Sequence, residues 1–116
     1  MSRVVEKPWG FEDRWAVNEN YLGKLLHIYR GHRLSLQYHE QKDETIYVLS
    51  GVLNLHIGDE ESQEVLVLSE GDSYRIEPGV VHRFEAPKHG TDVELIEVST
   101  PEIDDVVRLE DDYKRA

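Results

Sequence analysis

Cysteine is absent from this 116-residue chain, which removes both a disulfide framework and any thiolate metal ligand. A metal site here has to be assembled from imidazole, carboxylate and amide groups. Long apolar runs are also missing. None approaches the ~20 residues of a membrane-spanning helix, and Met1-Ser2-Arg3-Val4-Val5-Glu6-Lys7 lacks the apolar core of a signal peptide. The reading is a cytoplasmic protein with no membrane partner. Positive charge is scarce: 13 Lys and Arg stand against 24 Asp and Glu, for a formal net charge of -11. Nucleic acid is thereby excluded as a partner, because phosphate-backbone binding needs clustered Lys and Arg. Any phosphate that binds has to be met by a local basic pocket. The length suits one domain with one core, a free-standing module with an N-terminal arm over 1–20, a core over 21–99 and an acidic segment over 100–116.

No stretch carries a sustained helical period flanked by caps, whereas alternation and turn signals recur along most of the chain. The expected strands are 21–29, 33–39, 45–50, 51–57, 65–68, 72–76, 82–85 and 93–99. Many short strands at this spacing predict an all-β jelly-roll sandwich or barrel. The acidic loop 58–64 lacks the ordered spacing of a calcium loop and reads as a solvated hairpin tip.

Four side chains stand out against this background: Gln37, His39, Glu44 and His82. Side chains alternate along a strand, so Gln37 and His39 point the same way, and Glu44 rejoins them after the polar turn Glu40-Gln41-Lys42-Asp43. His82 follows a Pro78-Gly79 turn that re-aims the chain. Two imidazoles, a carboxylate and an amide oxygen suit one divalent ion per chain, with zinc foremost and Co, Mn, Fe and Ni also compatible. Of the other histidines, His27 and His56 read as sheet residues and His32 and His89 as loop residues.

The segments Gly31 to Gly51 and Gly71 to Ala86 resemble the two motifs of the cupin superfamily, Gly-x5-His-x-His-x4-Glu-x6-Gly and Gly-x5-Pro-x-Gly-x2-His-x3-Asn. Gln37 stands at the first histidine, Glu77 at the proline, and Ala86 at the final asparagine. The resemblance implies a double-stranded β-helix barrel. More narrowly, Leu34-Ser35-Leu36-Gln37-Tyr38-His39 is similar to the Leu-Ser-Leu-Gln-x-His segment of type II mannose-6-phosphate isomerases, the domains often fused behind a GDP-mannose pyrophosphorylase. Lys7-Pro8-Trp9-Gly10-Phe11 resembles that family's Arg-Pro-Trp-Gly-x-Tyr, and the similarity continues through Leu95-Ile96-Glu97-Val98 and Val107 to Tyr113. The chain departs at Lys42, where the family has arginine, at Thr45-Ile46 for His-Trp, and at Tyr113-Lys114-Arg115 for Tyr-Gly-Arg.

The resemblance implies a metal-dependent aldose-ketose isomerase that moves a proton between C1 and C2 of a sugar phosphate through an enediol, mannose 6-phosphate to fructose 6-phosphate. Glu44 and Glu97 are the candidate bases. Arg33, Lys42, Arg83 and Arg108 are the cations expected near the barrel mouth to meet the phosphate. Trp9 and Gly10 read as an anchor packed on the barrel, and the 104–112 segment as either a lid or a solubilising tail. A homodimer is expected, with the arm (Val4, Val5, Trp9, Phe11, Trp15) or an edge strand pairing across a two-fold axis. A cupin oxygenase, with two histidines and a carboxylate on Fe(II), and a non-catalytic metal- or sugar-binding module are the alternative functions.

Overall fold

The computed structural model describes residues 3–115; residues 1, 2 and 116 of the expected arm and tail lie outside the described residues. Eleven strands follow one another among them with no helix: β1 Val4–Lys7, β2 Gly10–Val17, β3 Leu22–Ile28, β4 Leu36–Tyr38, β5 Glu44–Ser50, β6 Leu53–Gly58, β7 Gln63–Leu68, β8 Ser73–Ile76, β9 His82–Glu85, β10 Val93–Ser99 and β11 Val107–Glu110. They form a six-stranded sheet in the order β1-β2-β3-β10-β5-β8 and a five-stranded sheet in the order β11-β4-β9-β6-β7, with every pairing antiparallel. The two inner faces close on each other as an all-β double-stranded barrel. Among the described residues no helix is long and apolar enough to cross a membrane.

Period-two alternation places the core. Leu26 and Ile28 on β3, Ile46 and Val48 on β5, Leu53 and Leu55 on β6, Phe84 on β9, and Val93 and Leu95 on β10 are buried and pack together. This apolar layer fills one end of the barrel. At the other end the same inward faces carry Glu12, Lys24, Glu44, His82 and Glu97, all buried.

Three strands lie outside the expected set: β1 and β2 in the arm, and β11 in the acidic segment. In β2 the charged Glu12 takes the inward position and Trp15 the exposed one, the reverse of apolar-in and polar-out, so its pattern does not announce a strand. The arm pairs within its own chain, β2 on β3 and β1 on β2, and β1 forms an edge of the six-stranded sheet. Conversely, the expected strand over 33–39 shrinks to β4, and Arg33 makes only an isolated bridge to Glu85.

Trp9 is buried in the core, as expected of an anchor, and also lines the cavity described below. Gly10 follows it at φ 155°, and a Cβ there would sit 1.8 Å from the carbonyl oxygen of His27. Only glycine lets β2 come down on β3 at this point. At the other terminus Lys114, which replaces the glycine of the family's Tyr-Gly-Arg, has φ 56°, the left-handed region that glycine enters without steric cost. The turn that glycine would serve is kept.

On the outer face His27 stacks on Phe11 (4.9 Å between ring centres, 7° between planes), and its Nδ1 and Nε2 each lie 2.9 Å from a carboxylate, Glu94 and Asp92 respectively. Burial alone would lower its pKa, but the two carboxylates prevail and raise it. A histidine raised in the folded state adds stability that is present below its unfolded value and is lost as pH rises through the folded one. The melting-temperature gap between wild type and His27→Gln is therefore expected to be wider at pH 6 than at pH 9. A gap that does not change with pH would show that the imidazolium contributes nothing.

Candidate metal centre

The turn between β4 and β5 and the start of β9 bring three buried donors together. His39 Nε2 and His82 Nε2 each lie 3.3 Å from Glu44 Oε1, and one donor atom from each residue falls within 4.8 Å of the others. Both Nε2 atoms and both Glu44 oxygens are buried without a hydrogen bond. Buried polar atoms left in this state cost folding free energy unless something else satisfies them. The other ring nitrogens are engaged: His39 Nδ1 lies 2.6 Å from the carbonyl oxygen of Asp105, and His82 Nδ1 lies 2.9 Å from that of Val80. Donation from Nδ1–H to a carbonyl fixes the tautomer and turns the Nε2 lone pair inward, the arrangement of metal-ligating histidines. Donors about 2.1 Å from a tetrahedral ion sit roughly 3.4 Å apart, close to the spacing found. The residues present fit a divalent ion. Gln37 is beside them, in register with His82 on the adjoining strand, and its Oε1 accepts the Ser35 hydroxyl at 2.6 Å.

Glu97 occupies the same interior. On β10 the inward residues are Val93, Leu95, Glu97 and Ser99, which settles a face that parity in the sequence leaves open. Its carboxylate is 3.2 Å from Lys42 Nζ, and Lys42 in turn lies 3.3 Å from Glu44 Oε2. Burial, then the Glu44 charge, raise the Glu97 pKa to about 7 against the pull of Lys42 and Lys24. Lys42 is pushed up to about 12: burial opposes its charge, and Glu97 and Glu44 more than offset it.

Of the four cations expected to meet a phosphate, Lys42 and Arg108 line the cavity. Arg108 stands on β11 opposite Gln37. Arg33 and Arg83 do not line it. Arg33 makes a two-pronged pair with Asp112 (2.7 and 3.0 Å), because β4 begins only at Leu36 and the parity inferred from Gln37 and His39 does not reach back to residue 33. Arg83 is buried on the opposite side of β9 from His82, donating to the carbonyl oxygens of Leu34 and Glu110. Together these two arginines hold the C-terminal segment against the barrel.

That segment contributes to the site. Ile103 to Val106 line the cavity, and the Asp105 carboxylate accepts the backbone N–H groups of Glu40, Gln41 and Lys42 at 3.0, 2.7 and 2.8 Å. Burial would raise its pKa, but the three N–H donors hold it below the usual range. Asp105 thus shapes the turn that carries His39 and Lys42, a role that a run of acidic residues does not reveal in sequence. The cavity, about 300 Å³, is also lined by Lys7, Glu12, Arg14, Lys24 and Arg115, none of them among the expected site residues. The available signal was a charged residue at an inward position, Lys24 between Leu22 and Leu26.

A double-stranded barrel of two antiparallel sheets with a His-Glu-His centre at its polar end is the architecture of a cupin. The cupin domain model matches residues 24–99, and the chain belongs to that family. It is 38% identical over 116 residues to the xanthan biosynthesis protein XanB of Xanthomonas campestris pv. campestris (strain B100), covering 97% of this chain and 24% of that protein. It is 37% identical over 118 residues to the mannose-1-phosphate guanylyltransferase ManC of Salmonella typhimurium (strain LT2), covering 99% and 24%. The chain spans about a quarter of the length of these curated relatives, and the part it matches is their C-terminal cupin portion. Among solved structures, KdgF from Halomonas sp. superposes with a TM-score of 0.75 at 20% identity, covering 87% of this chain and 89% of that one. A mutant of Bacillus subtilis oxalate decarboxylase OxdC does so at 0.77 and 20%, covering 93% and 30%. At such identities the likeness shows the fold alone.

Proposed function

We propose that the protein is a metal-dependent aldose-ketose isomerase of a phosphorylated sugar, interconverting mannose 6-phosphate and fructose 6-phosphate. The observation that carries this reading is a buried carboxylate that is not among the clustered donors, Glu97, in the same cavity as His39 and Glu44, with His82 buried 3.3 Å from Glu44. His39, Glu44 and His82, with Gln37 beside them, would hold a divalent ion, which would supply Lewis-acid stabilisation of the charge that develops on the substrate oxygens. Glu97 takes the proton from C2 of the aldose and returns it to C1, while the C2 hydroxyl proton passes to the oxygen on C1 through the enediol; its raised pKa suits a group that must both accept and donate near neutral pH. Lys42 holds that carboxylate in place and balances the negative charge of Glu44 beside it. Leu26, Leu34 and Phe84 on the cavity wall restrict water around the reacting carbons. The name of one relative supports the substrate class, since ManC is a mannose-1-phosphate guanylyltransferase. The guanylyl transfer named for ManC belongs to a protein of which this chain covers 24%, and it is not carried over.

The test is formation of fructose 6-phosphate from mannose 6-phosphate by metal-stripped protein reloaded in turn with Zn, Co, Mn and Fe(II). Metal-dependent turnover that falls by about 100-fold or more in Glu97→Gln, the lower end for a positioned acid or base, is the expected result. Stoichiometric metal binding with no turnover under any of these metals would overturn the isomerase reading in favour of a binding module.

A further inference from the structure

Charge is shared unevenly along the cavity wall. At the metal end one cation, Lys42, stands between two buried carboxylates, Glu44 at 3.3 Å and Glu97 at 3.2 Å, an excess of negative charge suited to a metal ion. At the end built by β1, β2 and β3 the ratio reverses. Lys7 at 3.7 Å, Arg14 at 2.9 Å and Lys24 at 3.2 Å surround the carboxylate of Glu12, three cations to one carboxylate, with Lys24 also facing Glu97 across the β3–β10 pairing. Six of the 13 Lys and Arg in a chain of net charge -11 line this one cavity, a concentration that random placement on an acidic surface does not give.

We infer that Lys7, Arg14 and Lys24 form an anion subsite that takes the phosphate monoester of the sugar substrate, with Glu12 holding the three cations in position and Arg115 at the rim. This rests on the isomerase reading for the identity of the sugar, but not for the anion. A monoester dianion suits this surplus of positive charge, and a guanidinium and two ammonium groups offer charge-assisted hydrogen bonds to its three oxygens. Glu12 and Lys24 are buried, so the cluster is preorganised rather than assembled on binding. The Lys7 ammonium is held below its usual pKa, by burial first and also by Arg14, Lys24 and Arg115, while Glu12 opposes the shift, which agrees with an overcharged cluster. The separation is also suitable. β2 and β5 are three steps apart in the six-stranded sheet, roughly 14 Å along its surface at about 4.8 Å per step. Lys24 on β3 and Glu97 on β10 are cross-strand partners and both buried, so the basic cluster adjoins the carboxylate proposed to carry the proton.

Titration calorimetry of metal-loaded protein with inorganic phosphate, mannose 6-phosphate and unphosphorylated mannose tests this. Wild type is expected to bind mannose 6-phosphate at least tenfold more tightly than mannose, with inorganic phosphate competing. Lys7→Gln and Arg14→Gln are each expected to weaken phosphate and mannose 6-phosphate binding about tenfold, the size of one charge-assisted hydrogen bond, and to leave mannose unchanged. In turnover these variants should raise KM with kcat held, the mark of a group that binds substrate and transition state alike. No preference for mannose 6-phosphate over mannose in wild type overturns the subsite without recourse to any variant. Turnover with an unchanged KM in Lys7→Gln and Arg14→Gln removes the subsite and keeps the isomerase. Cluster-dependent phosphate binding without turnover keeps the subsite and removes the isomerase.

Discussion

His82→Ala abolishes the stabilisation that the wild-type protein gains from a divalent metal. The reason lies in the buried atoms. His39 Nε2, His82 Nε2 and the Glu44 oxygens have no hydrogen bond, and 3.3 Å separates each ring nitrogen from Glu44 Oε1. Metal binding supplies the missing partner in the folded state only, so at a free metal concentration of 100 Kd it adds about 2.7 kcal/mol. Loss of groups that merely orient ligands costs 10–100-fold in affinity, and loss of a ligand itself is expected to cost more than about 100-fold. Differential scanning calorimetry with and without zinc reads the effect directly. An equal upward shift of melting temperature in wild type and His82→Ala would mean that the ion, if bound, is held elsewhere.

Lys42→Met destabilises the metal-free protein by about 3–5 kcal/mol, the range for breaking a buried ion pair from one side. Lys42, Glu44 and Glu97 are all buried, and removal of the ammonium leaves two carboxylates facing each other in the barrel. The loss depends on pH in a definite direction. The Glu97 pKa is raised to about 7 even with Lys42 present, and without it burial and Glu44 push it higher still. Between the unfolded carboxyl value near 4.5 and the raised folded value, the folded state binds the extra proton, so stability falls as pH rises. Urea unfolding is therefore expected to show a larger penalty at pH 8 than at pH 5. Adding Glu97→Gln to Lys42→Met should recover most of the penalty at pH 8, since one of the two opposed charges is gone. A penalty that is the same at both pH values would contradict the assignment of Glu97 as the group that takes the proton.

The clustering of His39, Glu44 and His82 was legible in the sequence because each lies within a short strand-turn-strand unit. His39 and Glu44 flank one polar turn, and His82 follows one Pro-Gly turn. The two-residue period of a strand then fixes which way they point. The strand pattern was legible wherever inward positions are apolar, as in β3, β5 and β10. It failed in β2, where the inward face is charged because it lines the cavity, and in β11, where four residues between acidic pairs carry too little pattern. A strand that serves a site breaks the rule by which strands are recognised. Arg33 shows the complementary error: its parity with Gln37 was counted through residues that are not in a regular strand.

The sequence by itself determined the all-β class, the cupin resemblance and the donors His39, Glu44 and His82, since these follow from local period and turn chemistry. Tertiary structure alone decided that Glu97 faces inward, that Arg33 and Arg83 hold the C-terminal segment, and that Lys7, Arg14 and Lys24 converge on Glu12. The physical reason is range. Strand alternation relates neighbours in the chain, whereas the charge at either end of the cavity is set by which strands pair. The pairings β1 with β2, β2 with β3, and β3 with β10 bring residues 7, 12, 24 and 97 to one inner face.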